Sequence, residues 1–184
     1  ELPFTLKAQI MFYINGKVVD DVPFLKGKEI DFILRIAPNL NSIDLSQKEV
    51  LFREGEYPED VYFLSVGIMH LKALSGAPLY VVSEGEIFGE IEALQELTRL
   101  STAQAQSRCH LFSIEKERFN EILEAYPDVK EPLLKEALDK MKRLTHFKAR
   151  LRTNRVSGSN ITMGNHTKMN EMSTEDYMSR MYEK

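Results

Sequence analysis

Cysteine is nearly absent. Cys109 stands alone among 184 residues, which excludes a disulfide framework and suits a reducing compartment. No apolar run approaches the ~20 residues that a bilayer span requires, so the sequence reads as a soluble piece. Histidine is scarce as well: His70, His110, His146 and His166 are isolated, with no H-x-H or H-x-x-x-H pair. A metal centre needs clustered ligands, and none is assigned. No activated nucleophile or acid–base pair is visible, so no catalytic residue is assigned and the chain reads as a non-enzyme. The sequence opens at Glu1 without a basic and apolar leader, and reads as a part of a longer, non-secreted protein. The sequons Asn160-Ile161-Thr162 and Asn165-His166-Thr167 are therefore read as silent.

The length fits one domain with appendages, enough to bury a core without staples. Charge is unevenly spread. Residues 1–139 carry 14 basic and 24 acidic side chains, a balance of −10, whereas residues 140–184 carry 10 and 4, a balance of +6. An acidic body does not suit general nucleic-acid binding, which wants a basic face with stacking aromatics.

Leu2-Pro3, then Leu6, Ala8, Ile10, Met11 and Ile14, predicts a helix with proline in its first turn, broken at Asn15-Gly16. Val18-Val19 and Val22 to Leu25 predict a second short helical piece ending near Gly27. Ile30, Phe32-Ile33 and Ile36 space as an amphipathic helix stopped by Pro38. From Asn41 the period changes. Ile43 with Leu45, then the runs 50–52, 61–66, 68–74 and 79–82, are β-rich and separated by glycine-bearing turns, and 102–106 and 111–114 continue the pattern. Such spacing indicates an antiparallel sandwich or barrel. Ser113 is expected to cap a helix from about Glu115 to Ala125, stopped by Pro127. A last helix is expected from Glu131 or Pro132 to Phe147 or beyond, with Leu134, Ala137, Leu138, Met141 and Leu144 as its apolar stripe. Lys140, Arg143, Leu144 and Phe147 share a neighbouring face, whose plain reading is a solvated basic edge. Thr145 and Ser157 sit in kinase-type basic contexts of a kind common by chance. Beyond Thr153 the core-forming pattern is lost, although Ser173-Thr174-Glu175-Asp176 resembles a capping box.

The chemistry concentrates in 85–105, GEIFGEIEALQELTRLSTAQA. A strand-like run leads through Glu86-Ile87-Phe88 to Gly89, where the backbone can approach a ligand with no Cβ in the way. A short helix over Glu90–Leu97 offers N–H groups that favour negative charge. Arg99 can return to the same point with a fork that matches phosphate oxygens. Glu90, an acceptor beside a bound anion, needs a donor such as a ribose hydroxyl. Together they describe a phosphate-plus-sugar pocket.

Phe88-Gly89-Glu90-Ile91, then Arg99, Ala103 and Ala105, resembles the phosphate-binding cassette of cyclic-nucleotide-binding domains. Arg53-Glu54-Gly55, Val61-Tyr62-Phe63-Leu64 and Gly67 resemble that family's preceding β-roll, and Cys109 to Ile114, Phe119 to Leu123 and Tyr126-Pro127 its exit strand and helix. The opening Leu2 to Lys7 resembles the linker helix of hyperpolarisation-activated and cyclic-nucleotide-gated cation channels, and the likeness covers roughly Leu2 to Leu144. The resemblance implies an α+β fold: a jelly-roll-like antiparallel β-roll with a phosphate-binding cassette, flanking helices and a C-terminal lid helix. It implies three parts: 1–28, the end of a helical linker that makes inter-subunit contacts; 29–150, the nucleotide domain; and 151–184, a mobile tail.

By the same resemblance Arg99 pairs with the phosphate of cAMP or cGMP, and the N–H groups of Gly89, Ile91 and Glu92 complete its shell. Glu90 accepts from the ribose, and Lys140, Arg143 and Leu144 of the lid touch the base. No cofactor is implied besides this ligand. Three positions depart from the family pattern. Glu92 replaces a small residue and sets a carboxylate near the phosphate. Leu100 replaces a threonine that helps hold guanine, which leans the site towards cAMP. Ser101 replaces an alanine.

The implied function is a regulatory cytoplasmic domain, homo-oligomeric through its linker, that gates an attached membrane channel or transporter. The alternatives are the sensor domain of a sperm-type sodium–proton exchanger, a kinase regulatory subunit, or a degenerate domain serving as an assembly module. Relatives of the ether-à-go-go type fill the pocket with their own chain and typically lack the arginine that stands here as Arg99. A metal cupin on a similar roll lacks its ligands here, and a transcription factor would need a helix-turn-helix after the lid.

Overall fold

The computed structural model describes residues 19–158. The expected linker helix before Asn15, both sequons and the capping box at Ser173 lie outside the described residues. Two short helical pieces open the described chain, α1 over Val19–Asp21 and a 3₁₀ turn over Pro23–Leu25. Helix α2 then spans Ile30–Ile36 and tightens into a 3₁₀ turn at Ala37–Asn39, because Pro38 has no N–H with which to continue it.

Eight strands follow among the described residues, seven of them on the expected apolar runs and one, Ile87–Phe88, on the stretch read only as leading into Gly89. They are β1 (Asn41–Leu45), β2 (Val50–Phe52), β3 (Asp60–Val66), β4 (Met69–Lys72), β5 (Pro78–Val82), β6 (Ile87–Phe88), β7 (Thr102–Ala105) and β8 (Cys109–Glu115). They form two four-stranded antiparallel sheets, ordered β1-β8-β3-β6 and β2-β7-β4-β5. Three helices complete the set: α3 (Glu90–Gln95) between β6 and β7, then α4 (Lys116–Glu124) and α5 (Pro127–Gly158). This is the α+β β-roll with flanking helices. Among the described residues no helix is long and apolar enough to cross a membrane.

Strand β3 explains the layering. Successive side chains of a strand point to opposite faces. Val61 and Phe63 pack with Phe32, Ile36, Phe119 and Ile122 of the helices, while Tyr62 and Leu64 pack with Phe52, Met69 and Leu111 between the sheets. Both faces are buried, so β3 reads as a continuous apolar run rather than an alternating one. Each large side chain buried in this way contributes about 1.5–3 kcal/mol.

Two expectations at the helices need correction. Ser113 does not cap α4; it is a buried residue of β8, opposite Asn41 and Tyr62. The N-cap is Glu115, in extended conformation and without a side-chain cap bond. The last helix begins at Pro127, with Pro132 inside it, rather than at Glu131 or Pro132. The N–H groups of Val129 and Lys130 both donate to Tyr126 O, so Pro127 sits in the first turn, where a missing donor costs nothing.

Gly67 turns β3 into β4 at a φ of +103°. A Cβ there would lie 2.5 Å from Arg108 O and 2.8 Å from Cys109 Sγ, whereas one on Gly76 (φ +85°) would meet nothing within 4 Å. Positive φ alone costs an L-residue about 1–2 kcal/mol, and overpacking adds about 1–3. Urea unfolding should therefore show Gly67→Ala losing about 2–4 kcal/mol and Gly76→Ala only about 1–2. Equal losses would contradict the close packing at Gly67.

Candidate functional site

Strand β6 pairs with β3 through Ile87 and Phe88 and delivers the chain to Gly89. Gly89 adopts φ +77° and forms the N-cap of α3. A Cβ on it would lie 2.7 Å from Arg99 Nη1 and 3.3 Å from Tyr62 Cδ2. The guanidinium thus crosses the bare side of Gly89, and only glycine leaves room for it. Helix α3 is shorter than expected. It ends at Gln95 because Glu96 turns left-handed, with the N–H groups of Glu96 and Leu97 both returning to Glu92 O.

The β2–β3 turn fixes Arg99 from the other side. Arg99 N–H donates to Glu56 O at 2.8 Å, and Arg99 O accepts from Gly55 N–H at 2.9 Å. This is the structural work of the Arg53-Glu54-Gly55 motif. The residue is 2% exposed. Nη1 donates to Gly89 O at 3.1 Å and Nη2 to Asp60 O at 2.6 Å. The guanidinium lies 4.1 Å from the Phe52 ring centroid and 5.5 Å from that of Tyr62. Its Nε is buried without a partner. Arg99 is therefore part of the wall as well as a candidate anion ligand.

Glu92 does not point away. It is buried, and Oε1 accepts from Leu100 N–H at 2.9 Å while Oε2 lies 3.8 Å from Arg99 Nη1. Glu90 is buried too. Its Oε1 accepts from Lys140 Nζ at 2.9 Å, Lys140 also donates to Ile87 O at 2.9 Å, and Glu90 Oε2 has no partner. Burial pushes the Glu90 carboxyl above the usual carboxylate range; the Lys140 ammonium opposes that rise and Glu92 adds to it.

Helix α5 closes the site with three residues four apart: Lys140, Leu144 and Lys148. Leu144 is buried. Lys148 Nζ bonds to both Glu54 Oε1 and Leu100 O at 2.6 Å. Sequence reasoning missed Lys148, and its place in the i, i+4, i+8 series from Lys140 was the available signal. Arg143, expected on the base, is exposed. Gly89, Glu90, Ile91, Glu92, Ser101, Lys140 and Leu144 all border one cavity of about 10 Å³ behind α5, with Phe52, Phe88 and Tyr80 among its apolar wall. That is room for about one water. The polar handles suit an anion with a hydroxylated ring, and the cavity as it stands is far smaller than a nucleotide.

Residues 43–126 match the family model of the cyclic nucleotide-binding domain. The chain is 26% identical over 144 residues to mouse potassium/sodium hyperpolarization-activated cyclic nucleotide-gated channel 2, covering 78% of this chain but 17% of the channel. The rabbit channel 4 is equally similar, with 12% of its length covered. Among solved structures, the one described as Sp-2Cl-cAMPS bound to PKAR CBD2 aligns with a TM-score of 0.64 at 20% identity, covering 77% of this chain and 94% of that one. The regulatory domain of Toxoplasma gondii PKA with cAMP aligns at 0.60 and 18%, covering 72% and 51%.

Burial makes the folded state hold the Glu90 proton more tightly than the unfolded chain does. Its contribution to stability is therefore present in acid and lost as pH rises through the raised value. Lys140 offsets that loss. Lys140→Met should cost about 3 kcal/mol near neutral pH, where it strands a buried carboxylate, and less near pH 4, where Glu90 can hold a proton. Urea midpoints at the two pH values test this; an equal cost at both would mean that the pair is not what anchors α5.

Proposed function

We propose that this chain, whose residues 43–126 form a cyclic nucleotide-binding domain, is a ligand sensor that couples nucleotide uptake to movement of α5. The observation that carries the reading is Arg99: a buried cation held behind Gly89, with an unpartnered Nε, at the start of a short helix. Arg99 takes the cyclic phosphate and Glu90 the ribose hydroxyl. Gly89, Ile91, Glu92, Leu100 and Ser101 form the cassette around them, with Leu144 against the base. The apolar wall and the absence of a hydroxyl at Leu100 favour cAMP over cGMP.

In the full-length protein the domain lies on the cytoplasmic side, assembles through the linker that precedes it, and gates a membrane ion channel or transporter. A ligand shifts such an equilibrium only by binding one state better than the other. Here the two states differ in whether Lys140 and Leu144 or the nucleotide fill the pocket.

The closed cavity favours a second reading, an assembly module that no longer admits nucleotide. Calorimetric titration with cAMP and cGMP separates the two. The sensor should give heat with both nucleotides, more tightly with cAMP, and should show altered amide exchange over 136–147. Truncating one partner of a buried charge pair costs about 2–5 kcal/mol, so Arg99→Glu should weaken binding ~30-fold or more. No response to either nucleotide at millimolar concentration leaves the assembly module.

A further inference from the structure

Three charged side chains, Glu90, Glu92 and Lys140, border this cavity, and Arg99 lies behind Gly89 against Glu92. Glu90, Glu92 and Arg99 are each less than a twentieth exposed, and the Lys140 side chain is 11% exposed. Lys140 answers Glu90 at 2.9 Å, and Glu92 answers Arg99 at 3.8 Å. Each cation at the site therefore already has a counter-charge. A cyclic phosphate adds one negative charge where Arg99 is already matched, and buried charges without partners are costly.

Resting on the nucleotide reading above, we propose that Glu92 determines how tightly the pocket holds a cyclic phosphate, as an internal counter-ion that Arg99 must exchange for the ligand's anion. Three observations carry this. The carboxylate is buried at the rim of the cavity, so solvent screens it little. Its Oε1 is pinned by Leu100 N–H at 2.9 Å, which keeps Oε2 facing Arg99 instead of turning out to water. Arg99 Nε is buried and unpartnered, so the guanidinium retains a donor for a phosphate oxygen once the exchange occurs. Asp60 gives Arg99 its backbone carbonyl, and its carboxyl also senses the guanidinium charge but is only half-buried. Glu90 is engaged by Lys140, which leaves Glu92 as the fully buried carboxylate facing Arg99. Glu92 is thus the carboxylate set to compete with a phosphate.

Glu92→Gln tests this without removing the prop. A glutamine keeps the volume and an oxygen for Leu100 N–H but discards the charge. Calorimetry with cAMP should show at least a tenfold gain in affinity. The gain should vanish when Glu92→Gln is combined with Arg99→Gln, because the effect runs through the guanidinium. If Glu92→Gln does not fold by its thermal transition, Glu92→Ala should show the same gain.

A folded variant that binds cAMP no better than the native chain overturns the proposal and makes Glu92 a support for Leu100. A gain that persists without Arg99 overturns it too. In both cases the native chain still binds and the nucleotide reading survives. If the native chain and every variant ignore millimolar cAMP and cGMP, the nucleotide reading itself fails and this proposal falls with it.

Discussion

A guanidinium lies almost wholly out of water inside a β-roll, and the surroundings of Arg99 are arranged to make that tolerable. An isolated buried cation is prohibitively unfavourable, so its charge must be met by acceptors and counter-charge. Gly89 and Asp60 supply carbonyls, Phe52 and Tyr62 supply ring faces, and Glu92 supplies the opposite charge. Each of these has a consequence elsewhere. Gly89 must lack a Cβ, the β2–β3 turn must hold the Arg99 backbone, and α3 must present Glu92 one turn after Gly89. The cassette is a cage around one cation before it is a binding site.

The lid obeys a different rule. Lys140 and Lys148 keep 11% and 17% of their side chains exposed, and they are held by carboxylates and backbone carbonyls at once. Charge-assisted bonds of this kind are stronger than neutral ones, yet partial exposure lets water replace them. A helix secured in this way can be displaced by a ligand that supplies comparable contacts. Any population held shut lowers apparent affinity by the fraction that is open.

Much of this was legible in the sequence because period and glycine placement are local signals. Seven of the eight strands follow the apolar runs, and Gly89 with Arg99 marks the cage around the guanidinium. What failed was non-local. Ser113 looks like a cap because it precedes Glu115, but β8 needs it for pairing with β1 and β3. Pro132 looks like a helix start, but Tyr126 and Pro127 already provide one. Lys148 was passed over as a site residue because its partner, Glu54, lies 94 positions away in the sequence, although its spacing from Lys140 put it on the same face. Spacing placed Arg143 and Lys140 together, and only packing shows that the helix turns Lys140 and Lys148 inward and leaves Arg143 exposed. The direction of Glu92 was open for the same reason, since Leu100 N–H decides it.

The Leu100 peptide joins these parts. Its N–H is held by Glu92 and its carbonyl by Lys148, so the cage around Arg99 and the lid grip opposite ends of one residue. Glu54, the other acceptor for Lys148, donates its own N–H to Thr102 Oγ1 at 3.0 Å, just past Leu100 and Ser101. A change at Arg99 that draws Glu92 away therefore acts on the peptide against which α5 is anchored. Coupling between sites needs a contiguous element with two arrangements that both sites bias. In this fold the contiguous contacts between the two are short: Glu92, the Leu100 peptide and Lys148. They connect the Arg99 end of the site to α5 through one ion pair and two hydrogen bonds, without passing through the apolar wall of the cavity.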